Sequence, residues 1–258
     1  MSAAGRFAEV AREDGRAALV TVVRSSGDPA VGAKLLVTAD GAREGSLGDA
    51  GLDDRAAAAA EELMWAEKSE LRDDGELGLF VDVTHPAPRL IIFGAVDYAG
   101  ALCRLARACN WRPYVVDPRS QFATAERFPD AEEVVTAWPA DAFAKLGGID
   151  RATYIAVLTH DPKLDDAVLE IALRSPAAYV GAMGSRRAQE KRRERLTEIG
   201  MTDEEQARLA APIGLDLGAT TSEETALSIM AEVVAVRQGR SGGRLSAAGA
   251  GRIHEVGA

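Results

Sequence analysis

The stretch RLIIFGAVDYAGALCRLARACNWRPYVVD, residues 89–117, decides the fold. An apolar run at 90–93 stops at Gly94, an amphipathic pattern follows over 99–110, and a second apolar run at 114–116 stops at Asp117. Strand, tight turn, helix and strand within about thirty residues is the length of one right-handed βαβ crossover. In a parallel sheet with helices on both faces, ligands sit outside the carboxyl ends of the strands. The loops after Gly94 and Asp117 are therefore where chemistry is expected.

Upstream, residues 7–11 are weakly helical and 18–23 form a buried strand rich in Leu and Val. A second strand, 33–38, ends at Asp40-Gly41, a hairpin signal because both residues tolerate positive φ. Residues 53–70 read as a helix with acids in its first turn, and 77–83 as a returning strand. THPAP at 84–88 is the expected linker, since its two prolines oppose both helix and ladder. Downstream come a short apolar pair at 134–135, a strand at 154–158 ending in Thr159-His160-Asp161, a helix at 165–174 and a strand at 177–180. The loop GAMGSRR and a charged helix through 199 follow, then a short strand at 213–217. Thr221, with Glu224 three residues later, opens the last helix as a capping box, with Ala226, Ile229, Met230, Val233 and Val234 on one face. From 238 to 258 the chain is rich in Gly, Ser and Ala and is expected to be disordered.

The chain has 258 residues, 47% of them hydrophobic and 27% charged, which suits two modest cores. A net charge of -10 excludes non-specific binding to nucleic acid or an anionic membrane, although a local basic cluster can still hold an anion. Cys103 and Cys109 fall on different faces of one predicted helix, so neither a disulfide nor a CxxC site is suggested. No run has the length of a signal peptide core or a membrane span, and a cytoplasmic location is expected.

Five constellations carry potential chemistry. In Gly94-Ala95-Val96-Asp97-Tyr98-Ala99 the outer small residues of a dinucleotide fingerprint are present, but Val96 stands where a pyrophosphate must approach the backbone. Asp97 adds a negative charge there, or serves simply as the helix N-cap. Asp117, at a strand end, is placed to accept from a ribose hydroxyl or to start an Asx turn before Pro118. Gly181, Gly184, Ser185 and Arg186 form a glycine-bracketed turn with a hydroxyl and a guanidinium at a helix start, a phosphate-binding arrangement. Arg187, Lys191 and Arg192 read as a solvated face. Thr159-His160-Asp161, with Lys163, Asp165 and Asp166, lie on the ligand-facing edge, where His160 is a structural hydrogen-bonding group or could hold a ligand or act in proton transfer; no second His lies at metal-ligand spacing. The glycines and Thr pair of 214–221 open the last helix and could close the pocket floor, though capping explains most of them.

FATAERFPDAEEVV from Phe122, AVLTHDPKLDDAVL from Ala156, AAYVGAMGSRRAQEKRRERLTEIGM from Ala177 and APIGLDLGATTSEETALSIMAEVVA from Ala211 resemble the XdhC/CoxI family of accessory factors for molybdenum hydroxylases. VTVVRSSGDPAVGAKLLVTADGAREGSLG resembles its amino-terminal half more loosely. The resemblance implies an α/β protein: a Rossmann-like doubly wound parallel sheet at 89–237 beside a smaller α+β amino-terminal domain at 1–85. It implies binding of molybdenum cofactor as a pterin dinucleotide, exchange of an oxo for a sulfido ligand with a cysteine desulfurase, and delivery to the hydroxylase apo-enzyme. A homodimer is compatible with it. The family's usual cysteines are missing, Gly51 standing about where the first would fall, and its GAGH reads Gly94-Ala95-Val96-Asp97 here. Without thiolates, sulfur handling by this chain itself is disfavoured.

The expected function is thus a non-enzymatic maturation factor with no catalytic or metal-ligating residues of its own. Gly94, Asp117, His160, Asp161, Gly181, Gly184, Ser185 and Arg186 are its expected cofactor-binding residues. Ser185 and Arg186 hold phosphate, Asp117 a ribose, and His160 faces the pterin. The alternatives are an NAD(P)-dependent oxidoreductase, which Val96 and Asp97 oppose, and a ligand-free interaction protein with a decayed pocket.

Overall fold

The computed structural model describes residues 2–247, which divide between Ala87 and Pro88 into two units. The first contains α1 (Ala3–Arg12), β1 (Ala17–Ser25), β2 (Lys34–Thr38), β3 (Arg43–Ser46), α2 (Ala50–Trp65), β4 (Glu70–Asp73) and β5 (Leu77–Val83). Its strands pair antiparallel in the order β3-β2-β1-β5-β4. Alternate side chains of a strand face opposite ways, so β1 sends Ala18, Val20 and Val22 into a core with Leu52, Ala56, Leu63 and Met64 of α2. The other face of β1 packs Ala17 and Leu19 with Ala3 and Val10 of α1. Gly41, at φ +81°, closes the β2-β3 hairpin where the sequence predicts it. The helix expected at 53–70 starts earlier, because Asp49 caps it by accepting from the Leu52 amide at 2.8 Å. It also ends earlier, with Glu67 at φ +52° turning the chain into β4.

The second unit contains β6 (Arg89–Phe93), α3 (Asp97–Ala108), β7 (Arg112–Val116), β8 (Glu133–Val135), α4 (Pro139–Lys145), β9 (Thr153–Val157), α5 (Pro162–Leu173), β10 (Tyr179–Ala182), α6 (Arg186–Glu198), α7 (Asp203–Ala207), β11 (Leu209–Ala210) and α8 (Ser222–Arg237). All its strand pairs are parallel, in the order β11-β10-β9-β6-β7-β8. Consecutive apolar residues demand cover on both faces, and β6 shows it. Leu90 and Ile92 face α3 and α8, while Ile91 and Phe93 face α4 and α5. Each such fully buried side chain contributes about 1.5–3 kcal/mol, so this strand is the centre of the unit's stability.

The strand expected at 213–217 is absent; the final pairing is the two-residue β11, and the Ile213 amide makes one bond, to the Ala182 carbonyl at 3.0 Å, before the chain turns to α8. The strand expected at 177–180 begins at Tyr179 and runs through Gly181 and Ala182, because Gly181 and Ala182 pair with Ala156 and Val157 of β9. Of the tail expected to be disordered, 238–247 leaves α8 as irregular backbone with a 3-10 turn at Leu245–Ala247, and 248–258 lies outside the described residues.

Candidate functional site

The strand order reverses between β6 and β9. From β6 the chain runs outward through β7 and β8, then returns to the other side of β6 for β9 and β10. The crevice outside the carboxyl ends of these two strands is the ligand position of a doubly wound sheet. Gly94 lies at its floor with φ +113°, and a Cβ there would stand 2.7 Å from Thr159 Cγ2 and 3.2 Å from the Thr159 amide nitrogen. Glycine is thus required by conformation and by the approach of the two loops. This also assigns Gly94 a packing role independent of any ligand.

The start of α3 is not the anion seat of a dinucleotide site. Val96 is its N-cap, with extended backbone and no side-chain capping bond. Asp97, read alternatively as the cap, is instead the first helical residue. Its carboxylate lies 3.7 Å from the Arg127 guanidinium. Arg127 also donates to the carbonyls of Ala95 at 3.2 Å and Phe122 at 2.9 Å. The helix start thus carries an exposed carboxylate of its own, which opposes an anion there.

Asp117 is fully buried and reaches the same loop. One carboxylate oxygen accepts from the Arg119 amide at 3.0 Å and Arg119 Nε at 2.9 Å. The other accepts from the Ala95 amide at 2.9 Å and Arg119 Nη2 at 2.8 Å. Burial alone would raise this carboxyl, but the Arg119 and backbone hydrogen bonds outweigh it and hold it below the ordinary aspartate range. A carboxylate has about four lone-pair sites, and all are used within the protein. Asp117 thus makes the Asx turn and locks the loops after β6 and β7 together; a ribose hydroxyl would have to displace Arg119.

After β9, the Thr159 hydroxyl donates to buried Asp165, and Asp161 caps α5 by accepting from the Lys163 amide at 3.0 Å. His160 and Asp161 side chains are exposed at the mouth. After β10, Gly181 is buried, and a Cβ on it would lie 2.5 Å from the Tyr179 hydroxyl and 2.6 Å from Ile213. Gly184 has φ +136°, and Ser185 caps α6 by accepting from the Ala188 amide at 3.3 Å. The first turn of α6 carries no acid, and Ser185, Arg186 and Arg187 are exposed.

Arg192 corrects the reading of this helix as a solvated face. It is buried, pairs with Asp165 at 2.9 Å, donates to the Met183 carbonyl at 3.1 Å and to Gln189. Arg195 forms a second link, bidentate to Asp166 at 2.6 and 2.9 Å. Burial pushes the Asp165 carboxyl up, opposed by Thr159 and Arg192. Thr159, Asp165 and Arg192 thereby tie the loop after β9 to the loop after β10. The structure brings Gly94, Asp117, His160 and Asp161 to the two sides of the crevice, with Gly184, Ser185 and Arg186 one strand further along. Arg119, Arg127 and Arg195 are charged residues the sequence did not single out. The Asp-Pro-Arg spacing, an Asx turn followed by a cation, was the available signal for Arg119.

Among the described residues no group of three or more His, Cys, Asp or Glu is placed to hold a metal ion, and no helix is long and apolar enough to cross a membrane. A cavity of about 310 Å³ in the first unit, lined by Val20, Leu52, Ala56, Arg55 and Asp74 among others, contains none of these site residues.

A doubly wound parallel sheet with its polar loops gathered at the strand-order switch defines a Rossmann-type domain. Residues 90–233 match the XdhC Rossmann domain and residues 10–73 match the XdhC and CoxI family. The chain belongs to the XdhC and CoxI family. It is 26% identical over 242 residues to the uncharacterized protein YqeB of Escherichia coli, covering 88% of this chain and 44% of that one. It is 28% identical over 165 residues to a probable xanthine dehydrogenase subunit of Bacillus subtilis, covering 64% and 48%. With the molybdenum cofactor insertion chaperone PaoD of Escherichia coli it shares 32% identity over 152 residues, covering 59% and 41%. The crystal structure of a xanthine dehydrogenase from Bacillus halodurans superposes with a TM-score of 0.63 at 25% identity, covering 91% of this chain and 66% of that one. The chain spans less than half the length of the three curated relatives.

Proposed function

We propose that the protein is a cytoplasmic accessory factor for a molybdenum hydroxylase, binding molybdenum cofactor as a pterin dinucleotide for insertion into the apo-enzyme. The observation that carries this is the start of α6: a Ser185-capped helix end with no acid in its first turn and Arg186 and Arg187 exposed at the ligand edge. Helix amides, a positive dipole end and a guanidinium fork fit a phosphate group. The first loop of the crevice, at α3, fits one less well, since Val96 puts a branched side chain and Asp97 a carboxylate at its helix start. The name of the PaoD relative supports the cofactor class. When bound, the cofactor supplies the redox and oxygen-transfer chemistry of the hydroxylase; this chain's residues would bind and orient it. Ser185 and Arg186 would hold the phosphate, and His160, exposed beside Asp161, would face the pterin.

Sulfuration, in this reading, draws its sulfur from a partner such as a cysteine desulfurase. Burial pushes the Cys103 thiol up to about 12, so it holds its proton at neutral pH. Cys109 is an exposed residue at the far end of α3 from the crevice.

The test is titration of isolated pterin dinucleotide cofactor against the wild type and Arg186→Ala. Loss of one charge-assisted contact is expected to weaken binding by about 1.5–3 kcal/mol, roughly ten- to hundredfold. Unchanged affinity in the variant would move the phosphate elsewhere; no binding by the wild type would reject the cofactor reading. In that case the ligand-free interaction protein takes its place, a reading favoured by the complete internal satisfaction of Asp117.

A further inference from the structure

The loop after β7 presents a group that the phosphate seat does not use. Arg119 gives Nε and Nη2 to Asp117 and lies with Cζ 4.9 Å from the ring centroid of Phe122. Its side chain is nevertheless 45% exposed, and Phe122 is 36% exposed. Arg127 approaches the same ring at 5.9 Å. An exposed aromatic ring with a guanidinium fixed over it, at the ligand edge of the sheet, is more order than a solvated surface loop requires.

The chemistry of the pair selects what it takes. The Asp117 carboxylate neutralises the guanidinium, and the field of Asp161 adds further negative charge near it. Attraction for a phosphate is correspondingly weak here. A bidentate partner holds the guanidinium as a fixed plane, and guanidinium is weakly hydrated and stacks readily on flat π-systems. Its Cζ lies over the Phe122 ring on one side. We propose that the exposed face of Arg119 stacks a flat heteroaromatic ring of the ligand, so that Phe122, the guanidinium and the ring form three layers beside the β6-β7 edge. Such stacking tolerates different rings because each has a π-face, so this end of the site selects flatness rather than one base.

The proposal rests on the cofactor reading above and deepens it by naming the group held at this end. A pterin dinucleotide has two such rings, a nucleobase and a pterin, and separate probes distinguish them. The full chain is titrated with cytidine 5′-monophosphate, adenosine 5′-monophosphate, 6-hydroxymethylpterin and, as a control without a ring, ribose 5-phosphate. Absorbance hypochromism reports stacking and calorimetry reports affinity. At least one ring compound is expected to bind with hypochromism and more tightly than ribose 5-phosphate. Arg119→Lys keeps the charge but loses the plane, and Phe122→Leu removes the backing ring from an exposed position. Each is expected to lose roughly five- to hundredfold in affinity for that compound, with thermal unfolding verifying that both variants remain folded.

Nucleotide binding without pterin binding assigns the platform to the base, and the reverse assigns it to the pterin. If no ring compound outbinds ribose 5-phosphate, or if both variants bind as the wild type does, the platform is overturned. The intact cofactor separates the two readings. Equal cofactor binding by wild type and both variants overturns the platform alone. Ring binding that is lost in the variants, with no cofactor binding by the wild type, overturns the cofactor reading and leaves the platform standing.

Discussion

Arg192 and Asp165 are 27 positions apart in the chain and 2.9 Å apart in space, both almost entirely buried. Removing one partner of a buried ion pair strands the other charge without water, which costs about 3–5 kcal/mol. Arg192→Ala is therefore expected to lose that much stability in chemical denaturation, and Arg192→Met combined with Asp165→Leu should recover most of it. A loss below about 1 kcal/mol in the single variant would mean that the pair is open to solvent. Asp117 contributes on the acid side. Its carboxyl is depressed in the folded state, so its contribution is present above the ordinary aspartate value, about 3.9, and lost as pH falls from there through the lowered folded value. Asp117→Asn should flatten this part of the stability profile; Asp165, shifted up, works in the opposite sense, its charged form being the costly one as pH rises. A profile unchanged by Asp117→Asn would contradict the assignment. Asp117 and its Asx turn were legible in the sequence; the pairing of Arg192 with Asp165 was not. In EKRRERL each cation has a plausible solvated pose, and only tertiary pairing with α5 distinguishes Arg192 and Arg195 from their neighbours.

The helix starts at the ligand edge differ in charge, and this separates two cofactor classes. α3 opens with Val96 and Asp97 beside Arg127, while α6 opens with Ser185, Arg186 and Arg187 and no acid. A nicotinamide dinucleotide needs its pyrophosphate at the first of these ends, so NAD(P) is expected to show no micromolar binding by calorimetry. Val96→Gly with Asp97→Asn should raise its affinity, by removing the branched side chain and the like charge. Micromolar binding by the unaltered protein that Arg119→Lys and Phe122→Leu leave unchanged would reinstate the oxidoreductase alternative. At this scale much was legible beforehand. The βαβ unit, the hairpin glycine and the Thr221-Glu224 capping box all appear where local rules place them, because each depends on residues within a few positions. β4 and β11 escaped notice for the opposite reason. ELRD has no apolar alternation and Leu209-Ala210 is too short to show any, so both are strands only because a neighbouring strand pairs with them.

Each unit closes its cores from its own residues, with β6 and β9 between two clusters in the second and β1 between two in the first. The connecting segment is anchored separately at its two ends. Thr84 accepts from the Ala17 amide at 2.9 Å and donates to the Gly15 carbonyl at 2.8 Å, within the first unit. On the other side the Pro88 carbonyl accepts from the Arg112 amide at 2.8 Å, and Arg89 donates to the carbonyls of Leu146 and Gly148 at 2.7 and 3.1 Å. Between these anchors lie His85, Pro86 and Ala87, with His85 exposed. We propose that this segment is the domain boundary, and that residues 88–247 fold without the rest. Expressed alone, that fragment should unfold cooperatively, and if the phosphate seat on α6 and the ring platform on Arg119 suffice, it should bind the pterin dinucleotide within about tenfold of the full chain. Circular dichroism during heating tests the first statement and cofactor titration the second. A fragment without cooperative unfolding would make the two units one folding domain. A folded fragment that loses cofactor binding would place an essential contact before residue 88, and with it the cavity above Leu52 and Ala56 would become the next place to look.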